Sequence, residues 1–189
     1  GAEIADRFAD QSQAGLLETI LTKGLNAPPT SSCGRLFDAA CGLLSVLPVA
    51  RFEGEAPMAL EAMVTKPTVL DGGWSIAADG TLCLDPLLAA LADMSNAPQG
   101  ADLFHGTLSA ALADWAIRGA ETQRITDVAM GGGCFFNRVL RNDLDARLRA
   151  AGLTPRAPLT LSPGDPAISA GQAWMAALSV IAAGEQRRW

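Results

Sequence analysis

Three consecutive glycines, Gly131-Gly132-Gly133, sit between a β-prone run, Ile125-Thr126-Asp127-Val128-Ala129-Met130, and a stretch over residues 135–151 whose apolar residues recur at helical spacing. A strand that enters a glycine turn and leaves as a helix constrains the fold to an α/β unit. It also makes a corner where backbone N–H groups can approach an anion without a Cβ in the way, with the positive end of the helix dipole behind them. The same glycines would serve a tight turn that binds nothing, and at the level of the corner alone both readings stand.

At 189 residues and 49% hydrophobic, the chain can bury a real core as one domain or two small lobes. Its net charge of −6 and lack of a Lys/Arg cluster exclude a nucleic-acid surface. No apolar run is long enough to span a membrane and no basic-then-apolar leader opens the chain, so the expectation is a cytoplasmic protein with neither membrane nor nucleic acid as partner. Cys33, Cys41, Cys83 and Cys134 form no C-x-x-C pair and read as free buried thiols. His105 is the single histidine, so no two-histidine metal site can come from this chain alone.

Residues 3–24, with Ile4, Phe8, Leu16, Leu17, Ile20 and Leu21, suit one or two amphipathic helices. Thr30-Ser31-Ser32 supplies cap chemistry for a helix over 33–47 that Pro48 ends, and a third helix covers 57–63. Residues 74–76 and 81–84 read as a hairpin around Ala77-Ala78-Asp79-Gly80, Asp85 as the cap of a helix through 94, and 101–119 as a long helix. After the corner, Gly152 ends a helix, 158–161 reads as a strand, and 167–183 as a last helix with Trp174 and Met175 in the core. Arg187-Arg188-Trp189 reads as a frayed tail. The order strand, helix, strand, helix predicts parallel pairing, with roughly 1–66 helical and 67–189 α/β within one lobe spanning 1–189.

Four segments together resemble one family. They are Thr30-Ser31-Ser32-Cys33-Gly34-Arg35-Leu36-Phe37-Asp38-Ala39; Phe52-Glu53-Gly54-Glu55-Ala56 with Ala59-Leu60-Glu61-Ala62; Gly131-Gly132-Gly133-Cys134-Phe135-Phe136-Asn137-Arg138 with Leu140; and Gly164-Asp165 with Gly171-Gln172-Ala173. In order and spacing they look like the C-terminal part of the HypF carbamoyltransferases of [NiFe]-hydrogenase maturation. The resemblance implies a helix-rich α/β fold, the second lobe of a TsaD-like domain of the actin/Hsp70-like superfamily. It further implies ATP or carbamoyl-adenylate as ligand, a divalent metal shared with the other lobe, and transfer of a carbamoyl group to the C-terminal Cys thiolate of HypE. The partners it implies are HypE and the missing first lobe or another subunit. A non-catalytic binding module is the competing reading, and an exposed inter-lobe face would favour partner capture or a homodimer.

Carried over residue by residue, the resemblance gives Gly131, Gly132, Gly133 and Asn137 to the nucleotide phosphate. It places Ser31, Gly34 and Asp38 near the ribose, Glu53, Gly54 and Glu55 beside the nucleoside, and Asp165 as a metal ligand completed by two histidines of the other lobe. Plainer readings stand beside these: an Arg35–Asp38 surface pair, solvated carboxylates at Glu53 and Glu55, and a packing role for His105 near a helix start, kept neutral by the dipole. Cys134, at a helix N-terminus, could be a nucleophile, although the family's acceptor thiol belongs to the partner. The chain departs from the family pattern at Asp165-Pro166-Ala167, where Asp-Gly-Gly is usual, and at Gly133-Cys134-Phe135-Phe136, where Gly-Val-Phe-Gln is usual.

Overall fold

The computed structural model describes residues 7–186, with side chains described through 181. Ile4 and the Arg187-Arg188-Trp189 tail lie outside these residues. The elements are helix α1 (Ala14–Thr22), α2 (Cys33–Leu43), α3 (Glu55–Ala62), strands β1 (Ser75–Ile76) and β2 (Leu82–Cys83), α4 (Asp85–Ala92), α5 (Ala97–Gln123), β3 (Asp127–Ala129), a 3-10 turn (Gly133–Phe136), α6 (Arg138–Ala150), β4 (Thr154–Arg156), a second 3-10 turn (Asp165–Ala167) and α7 (Ile168–Gln186).

Helix α5 is the spine. Asn96 starts it, its Oδ1 accepting from the Gln99 N–H at 3.0 Å, and Arg124 in the left-handed region ends it after 27 residues, ~40 Å of helix. It is longer at both ends than the sequence suggested, because the cap lies ahead of Pro98, which the first turn tolerates. Around its N-terminal half α2, α3 and α4 bury Phe37, Leu60, Leu87, Leu91, Phe104 and Leu108. Around its middle a second core of Ala113, Met130, Leu144 and Leu148 packs β3 and α6 against the same helix. At Gly106 a Cβ would lie 2.3 Å from the Thr68 carbonyl oxygen, so the loop after α3 rests directly on α5.

Strands β3 and β4 pair in parallel, Val128 opposite Pro155, with α6 as the crossover. The parallel unit is as expected, but its second strand is Thr154–Arg156 rather than 158–161. Gly152 (φ +79) closes α6 in a Schellman turn, with Leu153 N–H to Leu148 O and Gly152 N–H to Arg149 O, and the chain becomes a strand at once. Residues 158–161 are irregular, and Leu159 is 97% exposed. The β1–β2 hairpin forms as read, and Trp74 and Trp115 fasten it, donating to Asp114 Oδ2 on α5 and to the Gly80 carbonyl.

Four further expectations are corrected. Helix α2 stops at Leu43, not 47, because left-handed Ser45 caps it in another Schellman turn while Leu44 docks on Gly100. Asp85 lies inside the first turn of α4 and makes no cap bond. Of α1 only Ala14 is buried, leaving Leu16, Leu17 and Leu21 exposed. Trp174 and Met175 are not core residues but 66% and 61% exposed, because α7 packs on little beyond the 3-10 turn that precedes it.

Candidate functional site

The glycine corner follows β3. Met130 N–H donates to the Arg156 carbonyl, ending the sheet, and Gly132 then adopts φ 115° and ψ 158°, a conformation in which an L side chain is strained. Its N–H is committed to the Pro163 carbonyl at 2.6 Å. Among the described residues no backbone bond takes the N–H of Gly131 or Gly133, both glycines are exposed, and a Cβ on either would meet nothing within 4 Å. Openness alone does not mark a site, since Gly15 and Gly119 on exposed helix faces are equally open. Here it coincides with uncommitted donors on a turn that the rest of the chain holds still.

The holding is done by Asn137 and His105. Asn137 is 5% exposed and its Oδ1 accepts from the Leu140 N–H at 2.9 Å, capping α6. Its Nδ2 donates to His105 Nε2 at 2.9 Å. His105 Nδ1 lies 2.8 Å from the Ala101 carbonyl, which can only accept, so the proton sits on Nδ1 and the ring is neutral. The ring is fully buried and edge-on to Phe37 and Phe104, and burial pushes its pKa below the usual histidine range. His105 is therefore an interior residue of α5, not one near its start, and burial rather than the helix dipole keeps it neutral.

The N-terminus of α6 does not face an open site, as the strand–glycine–helix reading supposed. Glu61 on α3 places Oε1 2.6 Å from the Arg138 N–H and 3.4 Å from that of Val139. With Asn137 beside it, that helix end already holds an anion, and the protein's own carboxylate supplies it. What remains for an external anion is the glycine turn itself. Nothing local in the sequence revealed the role of Glu61, because it acts on residues far along the chain.

The structure brings several sequence-derived candidates to this turn. Gly164 packs so closely that a Cβ would stand 2.9 Å from the Phe136 ring and 3.5 Å from Gly133 Cα, which brings the next residue, the exposed Asp165, to the edge of the corner. Ser31 and Gly34 lie near Cys33 at the start of α2, and Cys33 shares the wall of one cavity with Cys134 of the 3-10 turn. Others are engaged elsewhere. Asp38 pairs with Arg35 at 2.9 Å on the surface of α2. Glu53 is exposed and Gly54 (φ 87°) begins α3, while Glu55, only 7% exposed, accepts from the Arg51 backbone N–H at 2.6 Å and from its Nε at 2.8 Å. Hydrogen bonding to Arg51 holds the Glu55 carboxyl below its usual range. Glu55 thus closes its own turn, ~9 Å along α3 from Glu61.

Among the described residues no three His, Cys, Asp or Glu side chains cluster to hold a metal, and the buried His105 is not available as a ligand. Asp165 can offer one oxygen ligand of the kind a hard cation takes. A cavity of about 360 Å³ opens at the corner, with Gly131, Gly132 and Gly133 in its wall beside Met130, Cys33 and Cys134. Apart from the glycine backbone, its lining is largely apolar. No helix among the described residues is long and apolar enough to cross a membrane.

Parallel βαβ pairing, a glycine corner and a helical layer locked to it define a helix-rich α/β lobe. The family described as carbamoyltransferase, Kae1-like domain, second subdomain, matches residues 2–172, and the chain belongs to that family. It is 46% identical over 158 residues to Carbamoyltransferase HypF of Rhizobium leguminosarum bv. viciae, covering 82% of this chain and 21% of that protein. It is 40% identical over 196 residues to the Carbamoyltransferase HypF homolog of Cupriavidus necator, covering 96% and 50%. A crystal structure of full-length HypF in the phosphate- and nucleotide-bound form superposes with a TM-score of 0.79 at 26% identity, over 93% of this chain and 24% of that one. The chain thus spans between about a fifth and a half of these relatives.

Proposed function

We propose that this chain is the nucleotide-facing second lobe of a HypF-type carbamoyltransferase, which passes a carbamoyl group from carbamoyl-adenylate to the C-terminal Cys thiolate of HypE. The observation that carries the reading is the glycine turn, with two uncommitted N–H donors and open space where Cβ atoms would stand. When the thiolate attacks the carbamoyl carbon, the bond to the AMP phosphate breaks and charge collects on the phosphate oxygens. Rigid backbone donors aimed at that charge stabilise it without reorganising. Asn137, His105 and Glu61 contribute by fixing the turn rather than by touching the nucleotide, since their polar atoms face each other and the helix end. A divalent cation, with Asp165 as one ligand and histidines of the first lobe as others, would supply further charge neutralisation at the phosphate.

The exposed apolar residues of α7, among them Trp174, Met175, Val180 and Ile181, support a lobe that is completed by another, with the first lobe as partner. Alone, the chain has half a cleft, and calorimetry is expected to find weak or undetectable ATP binding; micromolar affinity would contradict this. Combined with the first lobe it is expected to restore AMP-releasing transfer to HypE. Asp165→Ala is expected to abolish that activity, and full activity in this variant would remove the metal assignment.

A further inference from the structure

Two of the four cysteines, 101 positions apart in sequence, meet at the corner. Cys33 opens α2, and Cys134 lies in the 3-10 turn after the glycines. Both are half-buried and free, both line the wall of the same cavity and pack against the same core, and the helix that Cys33 opens touches the turn that holds Cys134. The other two cysteines have no such neighbour at this wall: Cys41 is buried further along α2, and Cys83 sits in the hairpin. We propose that Cys33 and Cys134 are an oxidation-sensitive pair that closes reversibly into a disulfide, stapling the glycine turn to the start of α2.

The asymmetry of the pair sets the order of events. The neighbouring Cys33 thiol holds Cys134 below the ordinary thiol range, which favours its thiolate. Cys33 is raised by the interaction with Cys134 and by burial. Cys134 is the attacking sulfur and Cys33 the resolving one. With a low-molecular-weight disulfide as oxidant, the Cys134 thiolate attacks one sulfur, forms a mixed disulfide and releases one thiolate. Cys33 then gives up its proton, attacks Cys134 Sγ and releases the second. Two protein thiols are oxidised, one small disulfide is reduced to two thiols, and no other reactant is needed. A bond of this kind in a reducing compartment is a transient, sensing one rather than a structural staple.

The test uses the full chain, folded, in glutathione buffers graded from reduced to oxidised, then acid-quenched, alkylated and mapped by mass spectrometry. The expected result is one intramolecular link, Cys33 to Cys134, with alkylatable thiols falling from four to two and returning to four in reduced buffer. Because the link closes a long loop, the oxidised form is expected to melt ~5–10 °C higher. Cys33→Ser is expected to halt at the Cys134–glutathione mixed disulfide, and Cys83→Ser to leave the link intact. Four alkylatable thiols throughout the series, only mixed disulfides in the unsubstituted chain, or a link through Cys41 or Cys83 would each overturn the proposal.

Discussion

The packed half of α5 and the glycine corner are joined by one hydrogen bond, His105 to Asn137, yet they use glycine in opposite ways. At Gly100 and Gly106 a Cβ would collide at 2.3 Å with Leu44 or with the Thr68 carbonyl, so glycine there lets the protein touch itself. At Gly131 and Gly133 nothing stands within 4 Å, φ is ordinary, and the backbone donors are uncommitted. Glycine there leaves room for something the chain does not contain. The comparison predicts that changes on the packed side register as stability, and changes at the corner as ligand affinity.

The largest effect is expected at the centre of the packed side. Phe104→Ala removes a fully buried ring in contact with Phe37 and His105, and is expected to cost ~3–5 kcal/mol in urea unfolding. Next is the join itself. Asn137→Ala removes the α6 cap and leaves buried His105 Nε2 without a donor, an expected loss of ~2–3 kcal/mol; a loss below ~0.5 kcal/mol would mean that the join is ornamental.

A smaller effect follows from pH. His105 is neutral when folded and its pKa lies below the unfolded value of about 6.5, so below that pH the unfolded chain binds the extra proton. Stability is expected to fall as pH drops through this region toward the folded pKa, before the carboxylates titrate. Denaturation midpoints at graded pH, in the native chain and in His105→Gln, would show the slope in the first and its loss in the second. The smallest change is on α7, where Trp174→Ser is expected to move stability by under ~0.5 kcal/mol in the lone chain while weakening its association with the first lobe.

Much of this contrast was legible in the sequence, for reasons that differ by element. The corner, the hairpin and the Gly152 stop were readable because glycine and turn residues act within a few positions of themselves. The family segments supplied the rest of the candidate site, and three of them do converge, at Gly131 to Gly133, at the start of α2 and at Asp165. What the sequence did not yield was action at a distance. The Glu61 bond to the α6 terminus, the Asn137 bond to His105 and the shared cavity wall of Cys33 and Cys134 each join residues at least 32 positions apart, visible only once the chain is folded. Residues such as Trp174 and Leu21 were misjudged for the opposite reason: periodic apolar residues imply a partner surface, but do not say that the partner lies in the same chain.

The most direct measurement concerns Gly133. Gly133→Ala, made in the chain together with its first lobe, adds a Cβ at a position with ordinary φ and no neighbour within 4 Å. Unfolding of the variant lobe is expected to show stability unchanged or raised by up to ~1 kcal/mol, while calorimetry shows nucleotide affinity reduced at least tenfold, about 1.4 kcal/mol. Unchanged nucleotide affinity, or a loss of stability of more than ~1 kcal/mol, would contradict the account and return the three glycines to being a turn.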